Sequence, residues 1–298
     1  MLKSLGSIAV LSILYLAYNR LDVDITCLHP HQTNLSGYRN QYAGLVLGTT
    51  LYNAGCHPIC FPVSNSLTIS LEFHIIYILC IPEAMSLAAE LSLAVNGFKN
   101  AAPPEVFSAF TTAIKDFEVS FQRESTIKVG DTLPEFRLSD AVGNEVCSSD
   151  LIAKGPILIN FHRGEWCPFC NLALAAMQKH LGDFKAKGVT LVAISPELPN
   201  QSLSTTEKHN LQFPVLSDVG NKYAEKLGIL FAQPNNLRPI YDAFGTDFKK
   251  RNGDNSLVVP VPAVVLVDRK GVVRNTYINP DYMQRVEPSE VLEWINAL

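Results

Sequence analysis

Two cysteines separated by two residues are the feature of this sequence best suited to chemistry. They are Cys167 and Cys170, in the stretch FHRGEWCPFC. The stretch follows the apolar run Ile157–Phe161, which predicts a buried strand, and precedes a helical pattern that is clear from Leu172. Spacing alone permits half of a zinc site, a structural disulfide or a redox-active dithiol, so the flanking residues must discriminate among them.

The position of the pair between a strand and a helix favours the redox-active dithiol. A thiolate at a helix N-terminus faces unpaired backbone N–H groups and the positive end of the helix dipole, which lower its pKa. The two-residue gap places the second sulfur about one turn further on, within reach of a disulfide. A zinc site needs a second ligand pair, and neither the residues that follow nor the Cys56 to Cys60 segment supplies one of suitable spacing.

Residues next to the pair are candidates for supporting roles. Arg163 could stabilise a thiolate, and the alternative is a solvated arginine at a strand end. Trp166 could shield the dithiol, and the alternative is simple packing. We interpret Glu165 as a surface carboxylate and His162 as a strand-end side chain rather than as proton-transfer groups. Cys147 is interpreted as a small buried hydrophobic residue.

Composition narrows the function classes. The 298 residues are 47% hydrophobic and 17% charged, which is enough apolar material for a large hydrophobic core. Because the formal net charge is -4, nucleic acid is not an expected partner. The 7 cysteines are an odd number, which argues against a disulfide-dense secreted scaffold and leaves at least one thiol free or paired between chains. The oligomeric state is left open.

Residues 1–82 form an N-terminal extension without a sustained helix or strand period. The apolar run Leu5–Ala17 has the outline of a signal peptide or a short anchor, but it is shorter than the roughly 20 residues that span a bilayer. A second run, Leu67–Ile81, is interrupted by Glu72 and His74, which disfavours a membrane span. Membrane contact is therefore expected only through the N-terminal segment.

Beyond the extension the chain alternates between helix and strand patterns. A helical lead-in is predicted over residues 83–126, with its second helix starting at Pro104, and a hairpin over 130–149. Further strands are predicted at 189–194, 213–216, 263–267 and 272–277, with helices at 172–184, 205–210, 222–227 and 288–297. This order predicts an α/β domain over 127–298, with a central mixed sheet flanked by helices.

Five segments also occur together in an order that is typical of one family. They read IKVGDTLPEFRLSDAVGNEV, RGEWCPFCNLAL, LVAISPELPNQSLSTTEK, FPVLSDVGN and VPAVVLVDRKGVVR. As a set they resemble the peroxiredoxin-like branch of the alkyl hydroperoxide reductase and thiol-specific antioxidant (AhpC/TSA) family. The resemblance covers about Glu83 to Leu298 and leaves out the N-terminal extension.

The resemblance implies a thioredoxin-like fold and a thiol-dependent peroxidase that uses Cys167 and Cys170 on hydrogen peroxide or organic hydroperoxides. Electrons would come from thioredoxin or a similar dithiol, and no metal or organic cofactor is needed. In thioredoxin-like folds a proline before the late strand faces the cysteine pair. Pro262 is therefore a supporting candidate, in cis or in trans form. The resemblance implies a cytoplasmic location, whereas a true signal or anchor at 5–17 implies secretion or membrane anchoring.

The chain departs from the family's P-x-x-x-T-x-x-C motif. With Cys167 as the motif cysteine, Asn160 and Gly164 stand at the proline and threonine positions; with Cys170, Arg163 and Cys167 stand there. The family's arginine ahead of the late strand also has no match. A thiol–disulfide oxidoreductase without peroxidase activity is therefore the alternative function, and a non-catalytic binding module is a third.

Two arguments compete over which sulfur attacks the peroxide. The helix dipole favours Cys167, which we expect to be the more exposed sulfur, with Cys170 closing the disulfide. The register that puts Cys167 at the threonine position favours Cys170. The first argument carries more weight at the level of sequence, so Cys167 is the predicted nucleophile.

Overall fold

The computed structural model describes residues 85–298 of the chain. The signal or anchor prediction for Leu5–Ala17, the second apolar run and the Cys56 to Cys60 segment all lie outside the described residues. None of the helices in this part of the chain is long and apolar enough to cross a membrane.

Two helices lead into the sheet. Helix α1 spans Leu87–Ala101 and α2 spans Pro104–Ser120, with Pro104 in the first turn, where a missing N–H costs no hydrogen bond. The carboxylate of Glu287 accepts hydrogen bonds from the backbone N–H groups of Leu87 (3.2 Å) and Ala88 (2.7 Å). Because Glu287 lies near the end of the chain, this cap ties the lead-in to the sheet domain.

The remaining elements are short and alternate along the chain. In order they are β1 (Arg137–Asp140), β2 (Glu145–Cys147), α3 (Ser148–Lys154), β3 (Ile157–Phe161), α4 (Pro168–Lys179), α5 (Leu181–Ala186), β4 (Thr190–Ser195), α6 (Pro199–Lys208), β5 (Val215–Ser217), α7 (Lys222–Lys226), β6 (Leu230–Ala232), α8 (Arg238–Ala243), α9 (Phe248–Asn252), β7 (Val258–Pro260), β8 (Ala263–Val267), β9 (Val273–Ile278) and α10 (Pro288–Asn296). Short 3₁₀ turns lie at Arg123–Ser125, Val219–Asn221 and Asn235–Leu237.

Seven of the strands form one mixed sheet in the order β2-β1-β5-β4-β3-β8-β9. Strands β3, β4 and β5 run parallel, and the other neighbours pair antiparallel. Every residue of β3 and β8 is buried because both sheet faces are covered. The predicted α/β class, with a central mixed sheet flanked by helices, is confirmed.

Strand β3 divides the core between the two faces of the sheet. Ile157, Ile159 and Phe161 belong to the hydrophobic cluster that also contains the two motif cysteines. Leu158 belongs to a second cluster, where it joins Leu174 and other buried residues. The alternation follows from the two-residue period of a strand, which sends successive side chains to opposite faces.

Several elements differ from the sequence-based expectation. The hairpin, β3 and β8 lie where they were predicted, whereas the helix expected at 172–184 begins at Pro168 and is divided near His180. The helix expected at 205–210 is α6, which begins earlier, at Pro199. Residues 228–262, for which only a strand-initiating proline was predicted, form β6, α8, α9 and β7. Elements of three to six residues are too short to display a periodic pattern.

We predict that a fragment of residues 83–298 unfolds cooperatively on heating. A fragment of residues 127–298 should be less stable by several kcal/mol, because it lacks buried Leu87, Leu91, Phe110 and Ile114 and a fully buried side chain of this size contributes about 1.5–3 kcal/mol. Calorimetry of both fragments checks this. Equal stability of the two would contradict it, as would a longer fragment without a cooperative transition.

Candidate active site

The cysteine motif follows a fully buried strand of the sheet. Strand β3 ends at Phe161, and the backbone N–H of His162 still bonds to the carbonyl of Ile194 in the neighbouring strand (2.9 Å). The chain then turns through 163–166 into α4, with Cys167 at its N-cap and Cys170 in its first turn. The strand-to-helix position that the sequence predicts is thus observed.

The two sulfurs lie together inside the protein. Their Sγ atoms are 2.9 Å apart, both cysteines are free, and each is only 1% exposed. The expectation that Cys167 would be the more exposed sulfur is therefore wrong, because both belong to the same hydrophobic cluster. Although Cys167 occupies the N-cap, its side chain makes no capping hydrogen bond, so the helix terminus does not engage this sulfur directly.

A cation contacts the second sulfur of the pair. Arg285, in the loop between β9 and α10, places Nη2 3.4 Å from Sγ of Cys170. Its Nη1 donates to the backbone carbonyls of Tyr282 and Gln284, the latter at 2.7 Å. Among the described residues no carboxylate forms a salt bridge with Arg285. Its positive charge is therefore available to the thiol.

These contacts separate the acidities of the two thiols. Burial opposes ionisation of both, but at Cys170 the hydrogen bond from Cys167 and the charges of Arg285 and Arg163 outweigh it and lower the pKa to about 6. Burial and the adjacent Cys170 raise the pKa of Cys167 well above its ordinary value. The directions of the two shifts favour ionisation of Cys170 over Cys167, whereas the helix-dipole argument favours Cys167.

Arg163 is a second cation beside the pair, and it is buried. Only 2% of the residue is exposed, so the interpretation as a solvated arginine is wrong. Its Nη2 donates to Oε1 of Gln233 (2.5 Å) and to the hydroxyl of Tyr241 (2.8 Å). Its guanidinium lies over the rings of Tyr282 and Trp166, at 3.9 and 4.7 Å from their centroids. Aromatic faces and neutral acceptors thus surround the charge.

The structure also locates the two remaining supporting candidates, Trp166 and Pro262. Trp166 is partly exposed and packs edge-to-face on Tyr241 and Phe248, so it covers the guanidinium of Arg163 from that side. Pro262 is buried beside the end of β3, since the next residue, Ala263, pairs with the last residue of that strand. Its peptide bond is trans. A role of Pro262 toward the dithiol stays a prediction.

A salt-bridge network holds the loop between β3 and α4. Glu165 and Glu197 are both buried, and Arg251 bridges their carboxylates at 3.0 and 2.9 Å. Lys208 also contacts Glu165 (3.0 Å), and Glu197 accepts a hydrogen bond from the backbone N–H of Glu165 (3.0 Å). The surface interpretation of Glu165 is wrong. Its carboxylate is used to fix the loop that carries the motif.

Two further residues considered in the sequence analysis, His162 and Cys147, are buried. His162 is 2% exposed, and burial together with nearby Arg285 and His209 lowers its pKa to about 3, so its ring is neutral. Cys147 is buried at the end of β2, where Arg137 Nη1 lies 3.3 Å from its sulfur. Within residues 85–298 no group of three or more His, Cys, Asp or Glu side chains is arranged to hold a metal ion.

Comparison with known proteins places the chain in a family. The sequence model of the AhpC/TSA family matches residues 129–276, which include the whole cysteine motif. The chain belongs to the AhpC/TSA family. The residues that resemble the family in sequence are those that build the sheet, the dithiol and α4.

Three relatives illustrate the range of AhpC/TSA similarity. The chain is 32% identical over 105 residues to a putative peroxiredoxin bcp of Buchnera aphidicola, covering 35% of this chain and 66% of the relative. It is 27% identical over 172 residues to chloroplastic peroxiredoxin Q of Populus jackii, covering 58% of this chain and 70% of the relative. It is 28% identical over 110 residues to the thiol-disulfide oxidoreductase ResA of Halalkalibacterium halodurans, covering 37% and 61%. The chain thus spans about two thirds of each relative's length.

In this AhpC/TSA member, the arginines near the cysteine pair come from positions other than the family's motif arginine. The residues directly before β8, 257–262, include no arginine, and the cations near the cysteine pair come instead from Arg163, in the loop after β3, and Arg285, in the loop before α10. Sequence reasoning missed Arg285, Gln233 and Tyr241, since each lies far along the chain from the cysteines. Arg285 lies three residues after Tyr282 in the stretch NPDYMQRVE, which shows no pattern that singles it out.

We predict that replacing Gly164 by alanine destabilises the protein by about 2–4 kcal/mol through strain and steric overlap. Gly164 has φ +135°, and an added Cβ would lie 2.5 Å from Nε1 of Trp166 and 2.9 Å from Cδ of Glu197. Gly97→Ala in α1 is the matched control: its Cβ meets nothing within 4 Å, and helix propensity should raise stability by about 0.5–1 kcal/mol. Denaturant unfolding compares them, and a neutral Gly164→Ala would refute the steric argument.

We also predict the pH dependence of thiol reactivity. A pKa of about 6 makes alkylation of Cys170 by iodoacetamide rise between pH 5 and 7 and level off above, because only the thiolate reacts. Arg285→Gln should move the midpoint upward by about one unit or more, so the variant is slower at pH 6 and equal at pH 9. Peptide mass spectrometry measures the rates. Exposed Arg269→Gln is the control, and an unmoved midpoint in Arg285→Gln would disprove the electrostatic assignment.

Proposed function

We propose that the protein is a thiol-dependent peroxidase in which Cys170 attacks the hydroperoxide and Cys167 closes the disulfide. The observation that carries the proposal is the free cysteine pair, with sulfurs 2.9 Å apart and Arg285 against Cys170. A thiolate attacks a peroxide most readily when it is populated at working pH, and the lowered pKa of Cys170 meets this condition.

The proposed cycle uses the two sulfurs in turn. The Cys170 thiolate attacks one peroxide oxygen, the O–O bond breaks, and Cys170 becomes a sulfenic acid while the leaving alkoxide or hydroxide takes the proton of Cys167. The Cys167 thiolate then attacks the sulfenic sulfur, forming the disulfide and releasing hydroxide, which a solvent proton converts to water. The net change is two thiols oxidised to one disulfide and one hydroperoxide reduced to an alcohol and water.

Substrate and electron donor follow from the family. Relatives named peroxiredoxin support hydrogen peroxide or organic hydroperoxides as the oxidant. A thioredoxin or a similar dithiol protein would reduce the disulfide by exchange. The flanking cations Arg285 and Arg163 would also stabilise charge that develops on the departing oxygen. No step requires a metal or an organic cofactor.

A second candidate function is thiol–disulfide exchange without peroxidase activity. The relative named ResA supports it, as do the motif positions, where proline and threonine are absent in both registers. In this case Cys170 would attack a disulfide sulfur of the partner, and Cys167 would release the mixed disulfide. The Cys170 thiolate is the nucleophile in both peroxide reduction and disulfide exchange, so the two functions differ only in the substrate that the thiolate attacks.

The deciding measurement is peroxide consumption by the purified full-length protein with thioredoxin and its reductase. We expect Cys170→Ser to abolish turnover and sulfenic acid formation. Cys167→Ser should form a sulfenic acid on Cys170 that a dimedone-type probe labels, but should not form the disulfide. Cys147→Ser is the matched control and should keep full activity.

The same assay separates the alternatives. Labelling of Cys167 in Cys170→Ser, with none on Cys170 in Cys167→Ser, would reverse the assignment of the two sulfurs. Reduction of a disulfide substrate with no consumption of peroxide would establish the exchange function instead.

A further inference from the structure

The burial of Arg163 without a carboxylate is unusual for a charged side chain. A buried cation loses its hydration, so buried charges are normally paired with an opposite charge. The buried carboxylates of Glu165 and Glu197 follow this rule, since both contact Arg251. No salt bridge among residues 85–298 includes Arg163, although it is 2% exposed.

The strongest acceptor for Arg163 is a neutral amide. Oε1 of Gln233 accepts hydrogen bonds from Nη2 of Arg163 and from the hydroxyl of Tyr241, each at 2.5 Å. Nε2 of Gln233 donates to the carbonyl of Leu257 (3.2 Å). Because one end of the amide meets two donors and the other meets an acceptor, its orientation is determined. A glutamate would fit the same volume but would neutralise the cation.

We propose that Gln233 is a positioning residue: it holds Arg163 at the cysteine pair through an uncharged acceptor, so that the pair itself provides the counter-charge. Arg163 then acts on the thiols with its full charge, undiminished by a carboxylate. The inference rests on the proposed thiol chemistry. It assigns a function to residues 228–262, the segment that supplies both neutral acceptors.

The other charged and titratable groups around the cysteine pair supply no negative charge that could neutralise Arg163. Arg285 adds a second positive charge at Cys170, and His162 is held neutral by burial. Tyr241 and Tyr282 stay protonated, since burial raises the pKa of each above its ordinary value. Among Arg285, His162, Tyr241, Tyr282 and the two cysteines, only the thiols can therefore carry a negative charge next to Arg163.

The test is Gln233→Glu in the full-length protein, read as the pH profile of iodoacetamide alkylation of the peptide that contains Cys167 and Cys170. The added carboxylate should pair with Arg163 and move the alkylation midpoint upward by at least one pH unit. A one-unit rise lowers the thiolate fraction at pH 6 from about one half to about one eleventh, so alkylation at pH 6 becomes about fivefold slower or more, while the rate at pH 9 is nearly unchanged. An unchanged midpoint overturns the proposal.

A matched control separates local from general charge effects. Gln212→Glu makes the same substitution at an exposed position, and its profile should coincide with that of the unaltered protein. A shift as large as that of Gln233→Glu would mean that net charge, rather than the contact with Arg163, sets the thiol pKa, and would overturn the proposal.

A double substitution tests whether the effect passes through the cation. In an Arg163→Met background the carboxylate has no cation to neutralise, so Gln233→Glu should shift the midpoint by less than half as much. An undiminished shift overturns the proposal. If Gln233→Glu does not fold, Arg163→Met alone carries the test: it should raise the midpoint, and an unmoved midpoint contradicts the proposal. Alkylation needs no peroxide, so a protein with the expected profiles but no peroxide turnover would contradict only the peroxidase proposal.

Discussion

The structure depends on a positive charge buried beside two thiols without a carboxylate to neutralise it. Arg163 is held by aromatic rings and neutral oxygen acceptors, and Arg285 by backbone carbonyls, so both guanidinium groups retain their charge near Cys170. In a buried site such charges act strongly because solvent screens them little. These charges lower the pKa of a thiol that burial alone would keep protonated.

Positioning these charges requires two layers of support around the motif. The carboxylates of Glu165 and Glu197, bridged by Arg251, hold the loop, and Gly164 allows the loop to approach Glu197 closely. Residues 228–262 supply both Arg251 and the two acceptors of Arg163. The paired charges of Glu165, Glu197 and Arg251 hold the backbone of the loop. The two arginines without a carboxylate partner, Arg163 and Arg285, lower the pKa of Cys170.

In the proposed function, these charges take the place of the family's usual motif residues. The family arginine ahead of the late strand is absent, and the cations come from two other loops that meet at the same point. Attack by a thiolate requires a positive charge and a hydrogen-bond donor next to the sulfur, and different segments of a fold can provide them. The proposed peroxidase activity and the exchange alternative both follow from that thiolate.

The sequence by itself determined the fold class, the position of the dithiol between β3 and α4, and the family, because each rests on local spacing or on apolar periods within one segment. It did not determine which sulfur ionises. That depends on Arg285, which lies 115 residues beyond Cys170, and on Gln233 and Tyr241, whose short elements show no periodic pattern. Tertiary structure alone decided the burial of Arg163 and Glu165, because only the packing of distant segments removes a charged side chain from water and supplies its partners.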